Sequence, residues 1–560
     1  MPGFHKHFLI PSGHAHPPTM TVVSFEYSDI IDLLGKRFSI DEIRAKTAMI
    51  GGADEGIEGE KLSFDISPNR PDMYSVEGLV RALKGVLDIE KGLPRFDVHE
   101  SDVRFIVEKS VEAVRPHAVG GLVRGVEMTD VIVKSLMDLQ EKLHMTIGRR
   151  RKKVAIGIHD VDKVTPPFKY RAVKPESVRF TPLGLAEELT LLEILERHEK
   201  GREFAHILEG KPLFPIIEDA KGTVLSFPPI INGTATTLTE DTRNLFIDAT
   251  GLEFGAVNSA LNIISTSLSE RGGKIESIVL ELPDRQMRTP DLAAKVKKVS
   301  TASANKLLGL AITPQEAAGC LGKMRFGTRV AGDLIEAQVP AYRVDMLHEV
   351  DLIEDIGVGH GYDRIPLGLP RVSTVGAPAQ ITLFSQTLRE MMIGYGYQEI
   401  MSLSMVDPQM PFKGGADGPR ILNPVSSELS GLRSSLLPSL LRILTMNTHR
   451  DLPQRVFEVE DVLAGAMNER HLAGASIHAK ASFTEVKSLV QSIMRDLDRE
   501  FDLETSGDPN FIPGRCAAVM VSGRNAGLFG EIAPAVLEAH NLAHPVAAFE
   551  LNAAVLKETK

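Results

Sequence analysis

A chain of 560 residues is too long for one hydrophobic core, and at roughly 100–200 residues per domain it predicts three to five domains. With 43% hydrophobic and 24% charged residues it excludes wholesale disorder, and a net charge of -11 excludes a surface that grips RNA everywhere, so any RNA contact must be local. No stretch approaches the roughly 20 apolar residues that cross a bilayer and the chain opens without a signal peptide's apolar core, so a cytoplasmic protein with no membrane contact is expected.

Residues 1–19 hold two HxH histidine pairs, Pro11, Pro17, Pro18 and little periodicity, and read as a disordered extension. Met20 is a second candidate start, directly before a strand at Val22–Phe25. Helical spacing follows from Tyr27 to Leu34 and from Ile40 to Ile50, with Gly51-Gly52 as the stop. Leu62, Phe64 and Ile66 alternate as a strand that breaks at Ser67-Pro68-Asn69-Arg70-Pro71, and Asp72 to Val86 reads as a helix. Between Val103 and Phe246 strands (Arg104–Glu108, Val154–His159) mix with a helix from Leu185 to Lys200, an α+β pattern. The basic run Arg149 to Lys153 reads as a solvated strand entrance able to meet phosphates.

Leu292 to Gly322 holds two short helices, the second opened by Thr313 as N-cap and Pro314 at the first helical position. The alternating strand Leu334–Val339 completes a small winged-helix-like unit. From about Ala377 an amphipathic helix begins, after which strands and helices alternate. Leu432, Leu436, Leu437, Leu440, Leu441 and Leu444 form one helical core stripe. The two cysteines, Cys320 and Cys516, stand too far apart for a zinc knuckle or a disulfide framework and are expected to be buried thiols.

A cluster of carboxylates stands out between Tyr342 and Asp355. If Asp351–Ile356 is helical, Asp351, Glu354 and Asp355 fall at i, i+3 and i+4 on one face, and Asp345 at the preceding strand end can converge on them. A hard divalent cation would relieve their repulsion, and magnesium suits them better than zinc because no histidine–cysteine set accompanies them. On spacing alone, a solvated acidic face is the plainer reading. Gly357 and Gly359 are expected to end the helix early, since each glycine costs roughly 1 kcal/mol against alanine in a helix interior.

This stretch, continuing to Gly359-His360-Gly361-Tyr362-Asp363-Arg364-Ile365-Pro366, resembles the B5 region of phenylalanine–tRNA ligase β subunits. The match recurs in order along the chain. Ser67 to Asp72 with Ser75-Val76-Glu77-Gly78 resembles the family's N-terminal signature, and Arg149–Asp160 with Phe227–Gly233 resembles its B3/B4 domain of the archaeal and eukaryotic type. The resemblance implies Asp345, Asp351, Glu354 and Asp355 as magnesium ligands at the contact with a catalytic subunit, Asp355 binding through water because the family usually has glutamate there. It implies a B3/B4 domain that hydrolyses tyrosine wrongly attached to the phenylalanine tRNA. For that reaction Ser226, Asn232, Asn244, Asp248 and Thr250 are the polar candidates beside Leu225, Pro228 and Pro229.

The C-terminal part resembles a class II synthetase fold that has lost its chemistry: Arg455-Val456-Phe457-Glu458 has the wrong spacing for the ATP-binding arginine strand, and Gly523, Gly527 and Gly530 precede no matching arginine. P-loop, HExxH and GxSxG motifs are absent as well. The expected architecture is therefore an α+β multidomain chain: an N-terminal domain at 20–95, a B3/B4 editing-type domain at 96–280, a winged-helix-like B5 domain at 281–368 and a non-catalytic, antiparallel-sheet class II-like domain at 376–560. By resemblance the chain serves as the β subunit of an α2β2 ligase, the α subunit supplying the ATP-dependent synthetic site and tRNA(Phe) being the RNA partner, with Mg2+ and ATP used by the complex. Two other classes are a stand-alone tRNA-editing hydrolase, which needs no C-terminal module, and a winged-helix nucleic-acid-binding protein, which needs a basic recognition helix where Thr313–Gly322 has no lysine or arginine.

Overall fold

The computed structural model describes residues 21–557 apart from 371, 416 and 417, so the expectations for residues 1–19 and for Met20 lie outside the described residues. The chain divides into two compact units, Met1–Gly368 and Leu369–Lys560. Both mix helices with sheets, the α+β class expected.

The first unit starts with the strand Val22–Glu26 and the helices Tyr27–Leu34 and Ile40–Met49, as the periodicity predicts. Gly51-Gly52 ends the second helix but leads straight into a strand, Gly52–Glu58, hidden in the sequence because most of its residues are exposed. It pairs with Lys61–Ile66, which occupies the centre of a three-stranded sheet. The helix expected from Asp72 starts later. Pro71–Met73 is a single 3-10 turn, and Ser75 then caps the helix Val76–Val86 by accepting from the Gly78 N–H at 3.1 Å. Gly78 is required there, since a Cβ would lie 1.6 Å from the Asp72 carbonyl oxygen.

A ten-stranded sheet forms the middle of the unit. Its far side runs Phe168–Val173, Phe214–Glu218, Val224–Phe227, Ile231–Asn232, and its near side runs Lys274–Glu281, His117–Arg124, Asn244–Gly251, Val154–Asp160. Val98–Val107 joins the two sides, parallel to both neighbours. The helix Phe254–Glu270 packs on the near side. The helix expected over Leu185–Lys200 is shorter and broken: a capping box between Thr190 and Glu193 starts it at Leu191, it stops at Arg197, and Glu199–Phe204 restarts it.

The strand Lys295–Ser300 precedes the helices Thr301–Leu308 and Pro314–Lys323, the latter with the Thr313–Glu316 capping box, and pairs with Leu334–Val339, itself paired with Gly327–Ala331. The early helix end expected at the glycines does not occur. The helix runs unbroken from Glu349 to His360, because a Cβ on Gly359 would lie 2.3 Å from the Cys320 carbonyl oxygen. The glycine lets two helices touch, and their packing offsets its propensity cost.

The second unit is built on a seven-stranded sheet in the order Gln398–Glu399, Gln454–Ala464, Met467–Ile477, Val546–Asn552, Arg524–Ile532, Phe511–Val521, Asp502–Thr505. Only its first edge strand runs parallel to its neighbour. Helices Gln380–Gly394 and Phe483–Asp496 share one core with the sheet, and Leu437–Met446 shares another. The leucine stripe is thus helical only from Leu437, where Pro438 opens the first turn, and Leu432 belongs to a two-residue strand. Both cysteines are buried and free.

Candidate functional site

A cavity of about 400 Å3 lies among the helix Asp130–Met145, the strand Val154–Asp160, the end of Asn244–Gly251 and the turn after Val224–Phe227. Phe227, Pro228, Pro229 and Ile230 make much of its wall apolar. Of the sequence candidates, Ser226, Asn232 and Asp248 line it.

Asp248 is buried, and its Oδ2 meets His159 Nε2 at 2.8 Å. The other ring nitrogen, Nδ1, meets Thr236 Oγ1 at 2.8 Å. A carboxylate only accepts, so the ring hydrogen on Nε2 is donated to Asp248, while Nδ1 meets the Thr236 hydroxyl, which also lies 3.4 Å from the Gly233 carbonyl oxygen. Stacking on Phe246 at 6.1 Å and 27° supports the ring. Gly157 faces this pair across the sheet, and a Cβ there would lie 2.1 Å from Asp248 Oδ2. Oδ1 has no protein hydrogen-bond partner among the described residues, and Asp248 lines the cavity. Ser226 Oγ, on a residue only 2% exposed, has no partner either. A buried hydroxyl without a partner costs about 1–3 kcal/mol, so it favours a ligand that supplies one.

Thr250 and Asn244 do not line the cavity. Thr250 shares a strand face with Asp248, but its Oγ1 accepts from Arg115 Nε at 3.0 Å and its carbonyl from Arg115 Nη2 at 2.6 Å. Burial pushes the Arg115 guanidinium down to about 10, and its bonds to Thr250 anchor the strand. Asn244 sits at the strand's other end, donating to Asp162 at 2.8 Å and accepting from the Gly125 N–H at 3.2 Å. In both, the polar groups are already taken by partners away from the cavity wall.

Sequence reasoning missed Glu141, His144 and Arg151, which also line the cavity. Ile156 N–H donates to His144 Nε2 at 2.8 Å, so the ring hydrogen sits on Nδ1, 3.2 Å from Glu141 Oε2. Arg151 donates to the same carboxylate at 2.9 Å and to the Ile230 carbonyl at 2.8 Å, with its guanidinium 4.5 Å from the Phe204 ring centre. Burial pushes His144 down to about 4, keeping it neutral, and the hydrogen bond from His144 holds Glu141 down at about 2. The basic run is therefore no plain strand entrance. Arg149, Arg150 and Arg151 have φ of 46°, 54° and 62°, three successive left-handed residues that cost roughly 1–2 kcal/mol each. The i, i+3 pair Glu141/His144 just before that run was the available signal.

The carboxylate cluster behaves differently. Arg343 Nε and Nη2 donate to the two oxygens of Asp345 at 2.8 and 2.7 Å, and Nη2 also donates to Asp355 at 2.7 Å. Asp351 turns back to the helix start, accepting from the Leu347 and His348 N–H groups at 2.6 Å each. Glu354 is exposed, and with Asp345 and Asp355 it borders an open cavity of about 680 Å3 that Asp351 does not reach. Among the described residues no three His, Cys, Asp or Glu side chains are placed to hold a metal ion. The expected four-ligand magnesium set of Asp345, Asp351, Glu354 and Asp355 is thus not formed. The reason is physical: a guanidinium supplies the positive charge to two of the acids, and backbone N–H groups take the third. Burial still pushes the Asp355 carboxyl above its ordinary range, against the pull of Arg343.

In the second unit Glu458, on the strand that lacks the ATP-binding spacing, is buried and pairs with Arg433 at 3.0 Å and with Ser402 Oγ at 2.7 Å. Its charge is committed to packing. The same unit leaves large apolar side chains in water: Leu422, Val425 and Val375 are 97–100% exposed and Met401 87%.

Comparison with known proteins places these features. The B3/4 domain family matches residues 123–274, the tRNA synthetase B5 domain residues 297–362, and the phenylalanyl tRNA synthetase beta chain CLM domain residues 365–553. The phenylalanine–tRNA ligase beta subunit of Methanococcoides burtonii is 41% identical over 541 residues, covering 95% of this chain and 99% of its own. The chain belongs to the phenylalanine–tRNA ligase β-subunit family. The β subunit of Archaeoglobus fulgidus is likewise 41% identical, over 96% of this chain and 99% of its own, and that of Thermococcus kodakarensis 37%, over 93% and 96%. A crystal structure of an N-terminal fragment of the Pyrococcus horikoshii β subunit aligns with a TM-score of 0.59 at 39% identity, covering 61% of this chain and all of that fragment. The B3/4 match spans the cavity, so the site just described lies in the β subunit's B3/4 domain. No helix among the described residues is long and apolar enough to cross a membrane.

Proposed function

We propose that this chain is the non-synthetic β subunit of a cytoplasmic phenylalanine–tRNA ligase, working with an α subunit as an α2β2 complex on tRNA(Phe), and that its B3/4 cavity hydrolyses tyrosine misattached to that tRNA. ATP and Mg2+ are used by the complex at the α subunit's synthetic site; no step is routed through a metal on the acidic cluster, whose residues do not fit one as placed. Residues 20–95, 96–280, 281–368 and 376–560 act as the N-terminal, editing, B5 and class II-like modules. Support for the partner comes from the exposed apolar side chains Val375, Met401, Leu422 and Val425, which a partner surface would cover.

The observation that carries the hydrolytic reading is Asp248: His159 holds one carboxylate oxygen, the other has no protein partner among the described residues, and the residue lines the cavity that a water would enter. The water oxygen attacks the ester carbon as its proton passes to Asp248, the bond to the ribose oxygen breaks, and that oxygen takes up the proton. Ser226 Oγ and Asn232 meet the tyrosine phenol. Phenylalanine lacks that hydroxyl and leaves the buried Ser226 unpaired, so the correct product is spared. The test is co-expression with the α subunit, with charging and tyrosyl-tRNA(Phe) hydrolysis measured separately. The complex should do both and Asp248→Asn should lose hydrolysis alone; hydrolysis undiminished in that variant would refute the role of Asp248.

A further inference from the structure

The turn from the helix Asp130–Met145 into the strand Val154–Asp160 is built to present cations. It is closed by Arg151 N–H to the His144 carbonyl at 3.0 Å and Lys153 N–H to the Gly148 carbonyl at 2.7 Å. Gly148 has no room for a side chain, since a Cβ would lie 2.4 Å from the His144 carbonyl oxygen. Glycine or asparagine would take the left-handed positions 149–151 with less strain, yet all three are arginine. Strain kept at such a place points to a use for those side chains.

Arg151 points inward and is spent on Glu141, Ile230 and Phe204. Lys153 pairs with Glu253 at 2.7 Å. The remaining side chains, Arg149, Arg150 and Lys152, are exposed and form no ion pair or side-chain hydrogen bond among the described residues. In a chain of net charge -11 this concentration of unspent positive charge is local, and it adjoins a residue of the cavity wall. Acidic partners of two kinds, RNA and protein, would be attracted. RNA is favoured because the substrate that enters the cavity is the end of an RNA strand, whose phosphates must pass its rim.

We infer that Arg149, Arg150 and Lys152 receive backbone phosphates of the RNA 3′ end while its terminal ester sits in the cavity. This rests on the hydrolytic reading above. Its test separates the two. In the co-expressed complex, Arg149→Asn, Arg150→Asn and Lys152→Gln are combined, because asparagine tolerates the left-handed backbone and the turn is kept. Binding of a fluorescent RNA hairpin with a single-stranded CCA end is measured over a salt series. Losing three phosphate contacts should flatten the slope of log K against log salt by about 2, at roughly 0.7–0.9 per contact. For tyrosyl-tRNA(Phe) hydrolysis KM should rise about tenfold with kcat within twofold, the pattern of lost substrate binding. The charge-preserving pair Arg149→Lys, Arg150→Lys should recover most of the slope. An unchanged slope overturns the inference whether or not the complex hydrolyses the ester, and so does a fall in kcat with KM unchanged. A flattened slope in a complex that never hydrolyses tyrosyl-tRNA would keep the RNA contact and sink the hydrolytic reading instead.

Discussion

Gly157→Ala tests whether Asp248 works through the position His159 gives it. The added Cβ would stand 2.1 Å from Asp248 Oδ2 and 2.5 Å from His159 Nε2, where real contacts stay beyond 3.0 Å. The carboxylate must retreat by nearly an ångström, and the 2.8 Å bond to His159 breaks. Losing a hydrogen bond to a charged group costs about 1.5–3 kcal/mol and overpacking a core about 1–3 kcal/mol, so the variant should be less stable by roughly 2–6 kcal/mol. A reacting group misplaced by about 1 Å loses on the order of 100-fold in rate. Scanning calorimetry of the complex and initial rates of tyrosyl-tRNA(Phe) hydrolysis measure the two effects, with phenylalanine charging as the control that should hold. Asp248→Asn, nearly isosteric, keeps the packing and removes the base; it should melt close to wild type while hydrolysing at least about 100-fold more slowly, the usual worth of a general base. Wild-type hydrolysis by Gly157→Ala would refute the reasoning, since the clash cannot be relieved without moving one partner of the pair.

The other expected outcomes are these. Ser226→Ala should stabilise the empty site slightly, by removing a buried hydroxyl that has no partner, and should narrow the preference for tyrosyl over phenylalanyl ester by about 1–3 kcal/mol in kcat/KM; an unchanged ratio would place the phenol elsewhere. Arg343→Met leaves Asp345 and Asp355 buried without their cation and should cost about 3–5 kcal/mol by denaturant unfolding. The raised Asp355 carboxyl is most stabilising below its unfolded value of 3.8 and loses this as pH rises through its folded value, so the deficit of the variant should shrink toward acid; a deficit independent of pH would contradict the pairing. His144, lowered from 6.5 to about 4, binds its proton more weakly folded than unfolded. Its contribution of roughly 3 kcal/mol is complete above pH 6.5 and lost as pH falls through about 4, and His144→Gln should remove that slope from the stability–pH curve.

What the sequence revealed followed from signals that a single residue type carries. The capping box at Thr313, the alternation of Leu334–Val339 and the paired helices Tyr27–Leu34 and Ile40–Met49 stand where the pattern puts them. The helix Asp130–Met145 escaped because its buried face mixes Leu136, Leu139 and Leu143 with Gln140 and His144, so polar groups interrupt the apolar stripe. With it went Glu141 and His144. The left-handed turn has no sequence signature, since arginine disfavours that backbone and only the surrounding hydrogen bonds enforce it. Ser226 and Asp248 were legible as polar residues among apolar ones, but not the feature that distinguishes them from Asn244 and Thr250, which is whether another side chain already uses the polar atom.

The same distinction separates the two acidic places in the first unit. Asp351, Glu354 and Asp355 fit an i, i+3, i+4 rule from sequence and with Asp345 look like a cation site, yet a guanidinium already satisfies Asp345 and Asp355, and Asp351 is drawn off to cap its own helix. Asp248 fits no spacing rule and lies alone. Its neighbour His159 orients one of its oxygens, and the residue lines a cavity. A saturated acid can only hold structure together, whereas an acid fixed on one side and open on the other can take a proton. On that ground the proposed hydrolysis is assigned to the cavity beside Asp248, and the Arg343 cluster is the buried electrostatic link between the helix Glu349–His360 and the segment before it.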